Sequence, residues 1–202
     1  MKNKPQREHK TEKPDLPILT FASTKEFTSW LAKHHKKSSG IWMRLFKIKS
    51  RVPSITYAEG LDVALCYGWI DGQKKPYDTE SWLQKFTPRT RRSIWSKRNR
   101  EHIARLEKSG LMQPAGREEV AAAKADGRWD RAYESSSNMV LPPDFLKELA
   151  KHKKAEAFFK TLNKANIFSI VYRLHTAKKP ETRIKRMKAI LEMLKKGEKF
   201  HP

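Results

Sequence analysis

Between Gly68 and Lys97 the chain interleaves indole rings with cations and a few carboxylates, among them Trp69, Asp71 and Lys74, then Trp82 and Arg89, then Trp95, Ser96 and Lys97. Rings and cations in one neighbourhood can hold an anion or a flat molecule, by stacking and by forked hydrogen bonds. A helix beginning near residues 93–96 would add backbone amides that favour a phosphate or carboxylate. The same three tryptophans also read as core, with the cations solvating its rim.

Acidic groups are the minority, so their placement is informative. Glu59, Asp62, Cys66 and Trp69 fall on one side of a helix, because positions three and four apart are neighbours there. Carboxylates whose environments separate their pKa values can do acid–base work. Glu59, Asp62 and Asp71 are therefore the acid–base candidates of an enzyme, with Lys74, Arg89 or Lys97 holding an anionic substrate. Their other use is as ion-pair anchors for nearby cations. Cys66 has no sequence signature placing a histidine beside it and reads as a small buried residue. His34 shares a face with Phe27 and Trp30 and reads as a boundary residue. HExxH, GxxxxGK[ST] and GxGxxG are all absent, which removes support for a metalloprotease, a P-loop NTPase and a typical dinucleotide fold. No metal site and no cofactor is expected.

Two basic helices offer further sites. Over residues 93–109, Trp95, Ile103 and Leu106 define one face, and Lys97, Arg98, Arg105 and Lys108 lie roughly opposite, a stripe that could track phosphates. In the last helix Ile184, Met187, Ile190, Leu191 and Leu194 form the apolar arc. Arg183 sits at the edge of that arc, where its guanidinium must find a carboxylate, carbonyls or a bound anion. An anion site shared with Arg173 and Lys178 is the sharper expectation.

The elements that must position these groups follow from pattern. Residues 1–14 lack aliphatic side chains and read as a disordered basic tail. Short strands are expected over 16–21 and 41–48. Ser23 and Thr56 each precede a glutamate by three residues, the capping-box spacing that opens a helix; the second helix is expected to run to about Ile70 as a buried central element. A β-hairpin is expected over 73–87. Helices follow over 93–109, 116–126, 143–151, 154–163, 165–177 and from Pro180 to Gly197, with Ser135, Ser136, Ser137 and Asn138 as the most flexible part of a connecting loop. Strands first and helices later argue for an α+β fold: a small antiparallel or mixed sheet with a central helix over residues 15–139, then an all-helical module over 140–202.

Composition sets the partner class. Of 202 residues, Lys and Arg supply 44 and Asp and Glu 22, a net charge of +22. Such a surface favours nucleic acid, a phosphorylated small molecule or an acidic protein surface. The competing explanation is a surface made basic for solubility alone. A single cysteine and no signal-like or membrane-length apolar run point to a cytoplasmic protein.

Several stretches together carry a resemblance: Tyr57-Ala58-Glu59-Gly60-Leu61-Asp62, Gly68-Trp69-Ile70-Asp71-Gly72, Phe86-Thr87-Pro88-Arg89, Ser93-Ile94-Trp95-Ser96-Lys97, Gly127-Arg128-Trp129 and Thr176-Ala177-Lys178-Lys179-Pro180-Glu181-Thr182-Arg183. In this order they resemble the YdeI/OmpD-associated, or bacteriocin-protection, family. The resemblance implies a helical C-terminal module, a bacterial setting and a link to envelope stress. It implies no catalytic residue. The expected function is a binding protein for an anionic partner; the alternative is an enzyme acting on a small anionic substrate.

Overall fold

The computed structural model describes residues 16–134, 140–177 and 179–202. The expected tail (1–14), the serine-rich stretch 135–138 and Lys178 lie outside the described residues. The fold is α+β: the described residues hold a four-stranded mixed sheet and eight helices. The chain forms two compact units, one of residues up to 93 together with 105–122, the other of residues 94–104 and 123–202.

In the first unit β1 (Ile18–Leu19), α1 (Thr24–His34), β2 (Ile41–Phe46), α2 (Tyr57–Cys66), β3 (Trp69–Pro76) and β4 (Ser81–Pro88) build the sheet in the order β1-β2-β4-β3. β1 runs parallel to β2, and the other pairs are antiparallel. Both helix starts carry their expected caps. The Ser23 hydroxyl accepts the Glu26 amide at 3.3 Å, while the Glu26 carboxylate reaches the Ala22 amide at 2.9 Å, one residue before the cap. At α2 the box is complete: Thr56 and Glu59 serve each other's amides, an arrangement worth about 1 kcal/mol.

α2 does not run to Ile70. It ends at Cys66, Gly68 takes a left-handed φ of 73°, and Trp69 begins β3. Glycine adopts that conformation without a Cβ penalty, and Trp69 and Ile70 then pair with Pro88 and Thr87. Trp69 consequently leaves the helical face it was expected to share with Glu59, Asp62 and Cys66. β2 likewise stops at Phe46, and Ile48–Ser50 form a 3₁₀ turn in place of the strand's last residues. The expected first strand over 16–21 is reduced to the two residues of β1.

Pairing assigns every β4 side chain to one of two faces. Trp82, Gln84 and Phe86 share a face with Ile41, Met43 and Leu45 of β2. That face meets the helices: the Phe27 ring lies 6.0 Å from Phe86, and a Cβ at Gly60 would stand 3.3 Å from the Met43 sulfur. Phe27, Leu31, Ile41, Met43, Leu45, Leu65 and Phe86 are fully or almost fully buried, each contributing about 1.5–3 kcal/mol of transfer free energy. A bulge at Gly72-Gln73 adds one residue to β3, and the buried Gln84 amide closes it by donating to both carbonyls. The bulge puts Lys74 on the helix face and Lys75 on the other.

Two further helices, α3 (Lys97–Lys108) and α4 (Pro114–Ala125), follow the sheet. α3 begins later than residue 93. Ser96 instead makes a β-bridge with Tyr133, and its hydroxyl accepts the Asn99 amide at 3.0 Å. In the second unit α5 (Pro143–Leu149), α6 (Lys153–Phe159), α7 (Lys164–His175) and α8 (Pro180–Lys195) enclose Phe145, Leu149, Ala155, Ile170, Leu174, Ile190, Leu191 and Leu194. The break before α7 is fixed by Asn163, whose side-chain oxygen accepts the Asn166 amide at 3.0 Å.

Where α4 passes α2, Gly116 leaves no room for a side chain: a Cβ would fall 2.2 Å from the Cys66 carbonyl oxygen. Backbone cannot yield as a flexible side chain can, so Gly116→Ala is expected to cost about 2–3 kcal/mol, read as a lowered urea midpoint with an unchanged slope.

Candidate functional site

The tryptophans of the Gly68–Lys97 segment divide between core and surface. Trp69 is buried, donates its indole N–H to the His35 carbonyl at 3.2 Å and meets Trp30 edge-on. Trp95 is buried and stands edge-on to Trp129, ring centres 5.0 Å apart. Trp82 is half-buried and carries the Lys74 ammonium 4.2 Å above its ring. Arg89 is buried at the end of β4, and its amide donates to the Gly68 carbonyl.

Asp71, Lys74 and Trp82 do come together, around a residue sequence reading passed over. The Tyr57 hydroxyl donates to the Asp71 carboxylate at 2.7 Å, and the Tyr57 ring lies 6.3 Å from Trp82. Asp71 and Phe86 are paired, so Asp71 shares the helix face of the sheet with Phe86. Arg89 lies three residues beyond Phe86 along β4, about 10 Å of extended chain.

The other two carboxylates line a different pocket in the same unit. A space of about 280 Å³ is bordered by Glu59, Asp62, Cys66, Tyr67, Arg105 and Leu106, among others; Asp71 is not part of it. Both carboxylates have structural partners. Glu59 caps α2, and both Asp62 carboxylate oxygens accept from Arg105 at 2.6 Å. Asp62 is thus anchored from α3, and Arg105 is not an idle member of a solvated stripe. Burial, and then the Asp62 charge, push the Cys66 thiol up to about 11, so it is a poor nucleophile at neutral pH.

The second unit holds a more open and more basic cavity, about 370 Å³, lined by Ile94, Lys97, Arg128, Arg131, Ala132, Tyr133, Glu134, His175, Thr176 and Ala177. Three separate stretches build it. The bridge between Ser96 and Tyr133 fixes two of them side by side, with the Tyr133 amide donating to the Trp95 carbonyl at 3.0 Å and the Lys97 amide to Tyr133 at 2.8 Å. The end of α7 supplies the third, and Tyr133 stands edge-on to Tyr172 of that helix at 5.2 Å. Lys97 is ion-paired with Glu134. Arg128, only 6% exposed, directs its Nε at the Asp126 carboxylate, 2.7 and 2.9 Å away. Arg131 crosses the left-handed Gly127 turn and donates to the Asp126 carbonyl at 3.0 Å. Among the described residues, lining cations outnumber lining carboxylates, and His175 adds an imidazole ring.

Of the predicted site residues, Lys97 lines this cavity. Ser96 stands beside it but is spent on the α3 start. Arg173 belongs to another surface, its guanidinium 3.9 Å over the Phe200 ring. Arg183 takes the structural option: it forks onto Asp144, with one hydrogen bond of 2.9 Å. That contact holds the Asp144 carboxyl below its usual range. Sequence reading missed Arg128, Arg131, Tyr133 and His175 as a group; the only signal was that Gly127-Arg128-Trp129 and Thr176-Ala177 had already stood out.

Residues 19–119, half of the chain, match the family model of a domain of unknown function (DUF8412), and residues 138–197 match the model described as bacteriocin-protection, YdeI or OmpD-associated. No curated protein and no solved structure matches the chain.

The Cys66 shift has a consequence for pH dependence. Because the folded value lies above the unfolded one, the stability it carries is complete below pH 9 and is lost as pH rises towards about 11. Urea midpoints taken below and above that window should fall less steeply in Cys66→Ser, whose hydroxyl does not titrate there.

Proposed function

The chain belongs to the DUF8412 family, a domain of unknown function, and continues into a bacteriocin-protection, YdeI or OmpD-associated domain; for it we propose the role of a binding protein for an anionic partner. The ligand is a small phosphorylated or carboxylate molecule held in the second unit's cavity. One observation carries the reading: Lys97, Arg128, Arg131 and His175 reach a single concavity from three separated stretches. Its volume suits a small metabolite, and the Tyr133 ring offers a flat wall. Charge-assisted bonds from guanidinium and ammonium groups would supply most of the affinity. The net charge of +22 raises the local concentration of any anion.

Acid–base catalysis has less to draw on. Glu59 is committed to a helix cap, Asp62 to Arg105 and Asp71 to Tyr57. A binding protein of this charge repels cationic peptides, so protection from a bacteriocin would be indirect, through a bound anion or nucleic acid in the cytoplasm.

The test is titration calorimetry and thermal shift with pyrophosphate, a nucleoside monophosphate and citrate, at low and high salt. At least one should raise the melting temperature, with affinity falling as salt rises. Arg131→Ala, which removes an exposed cation from the rim, should weaken that ligand about tenfold or more. No shift with millimolar probe would remove the reading.

A further inference from the structure

The first unit carries an exposed tip that the cavity does not involve. In the 3₁₀ turn after β2, Ile48 is 101% exposed, as open to water as in an unfolded peptide. Lys47 and Lys49 flank it, and Arg51 and the exposed Val52 follow. The turn is braced. The Ser50 hydroxyl donates to the Lys47 carbonyl at 2.8 Å and accepts the Val52 amide at 3.3 Å. Lys47 is pinned to the β3–β4 turn, its amide donating to Glu80 at 2.8 Å and its ammonium to the Thr79 carbonyl at 2.7 Å. That neighbouring turn presents Tyr77, 48% exposed, beside the Arg44 guanidinium. Asp78, the nearby acid, is held by Arg44, which leaves Glu80 against the cations.

We infer that this end of the sheet docks on an anionic lipid surface, with Ile48 and Tyr77 entering the headgroup layer and Lys47, Lys49 and Arg51 meeting lipid phosphates. An aliphatic side chain held out in water gains free energy only by leaving it, and a collar of cations selects the anionic surface at which it does so. Tyrosine suits the boundary, one end apolar and the other wet. Nucleic acid is the less fitting occupant: it rewards aromatic faces and forward cations, whereas here a branched aliphatic leads.

The measurement is co-sedimentation of the full chain with vesicles of phosphatidylcholine, alone or with roughly one-third phosphatidylglycerol. Net charge alone would draw the chain to the anionic vesicles, so the deciding variant keeps the charge. Ile48→Ser should lower partitioning about tenfold, while Val140→Ser, at a residue of the second unit that is 75% exposed, should match the parent. Because Ile48 touches little, its replacement leaves folding intact, which circular dichroism verifies. Equal binding by Ile48→Ser and the parent overturns the inference. So does a parent that binds single-stranded oligonucleotide but not anionic vesicles.

Discussion

β4 is hydrogen-bonded along both edges, to β2 and to β3, and this double pairing leaves each of its side chains only two directions. Residues of one parity enter the core beneath α1 and α2. Those of the other stand on the opposite face, where Leu83 lies buried and Lys75 and Lys85 lie 4.3 and 5.8 Å from the Trp42 ring centre. A slip of one residue would exchange the two sets and bury Lys85. The Gly72-Gln73 bulge is part of the same constraint. It decides that Lys74 faces the helices, over Trp82, and Lys75 the other side, over Trp42, and the Gln84 amide satisfies the carbonyls it exposes. Cations resting on rings in this way lose part of their freedom before any anion arrives, at a gain of about 0.5–1 kcal/mol each.

Electrostatics in the second unit follows from the scarcity of acids. Cations that are sheltered from water receive a carboxylate or a helix end: Arg128 receives Asp126, Arg183 receives Asp144, and Arg186 donates to the Arg173 carbonyl at 2.8 Å and to the Thr176 hydroxyl. The bond to the Arg173 carbonyl satisfies an orphan acceptor near the end of α7 and places a cation where the helix dipole welcomes one. The described lysines of this unit are exposed, and their mutual repulsion is screened within about 10 Å. In the cavity, cations are gathered behind a partly enclosing wall, where screening is weaker than on the open surface.

The two proposed surfaces would use the same excess charge in different physical settings. In the cavity, positive groups converge on a small volume, which in the proposed binding role would select for size and charge. At the Ile48 tip they surround an apolar side chain, which in the proposed docking would select for a surface. Each is complete within one compact unit.

What is local in sequence was legible from it. Ser23 and Thr56 cap the helices they precede because a cap involves only residues two or three apart. The apolar arc of α8 follows from its 3.6-residue period for Met187, Ile190, Leu191 and Leu194, whereas Ile184, expected in it, stands 52% exposed in the helix's first turns; Arg183 at the edge found a carboxylate. What required tertiary structure was every choice between two locally acceptable outcomes. Trp69 and Ile70 fit either the end of α2 or the start of β3, and only pairing with Thr87 and Pro88 decides between them. Asp62 needed a cation, yet Arg105 lies 43 residues away, a separation no pattern along the chain records. The cavity is of the same kind: Lys97, Arg131 and His175 become neighbours only when the Ser96–Tyr133 bridge and the packing of Tyr133 on Tyr172 close the chain on itself.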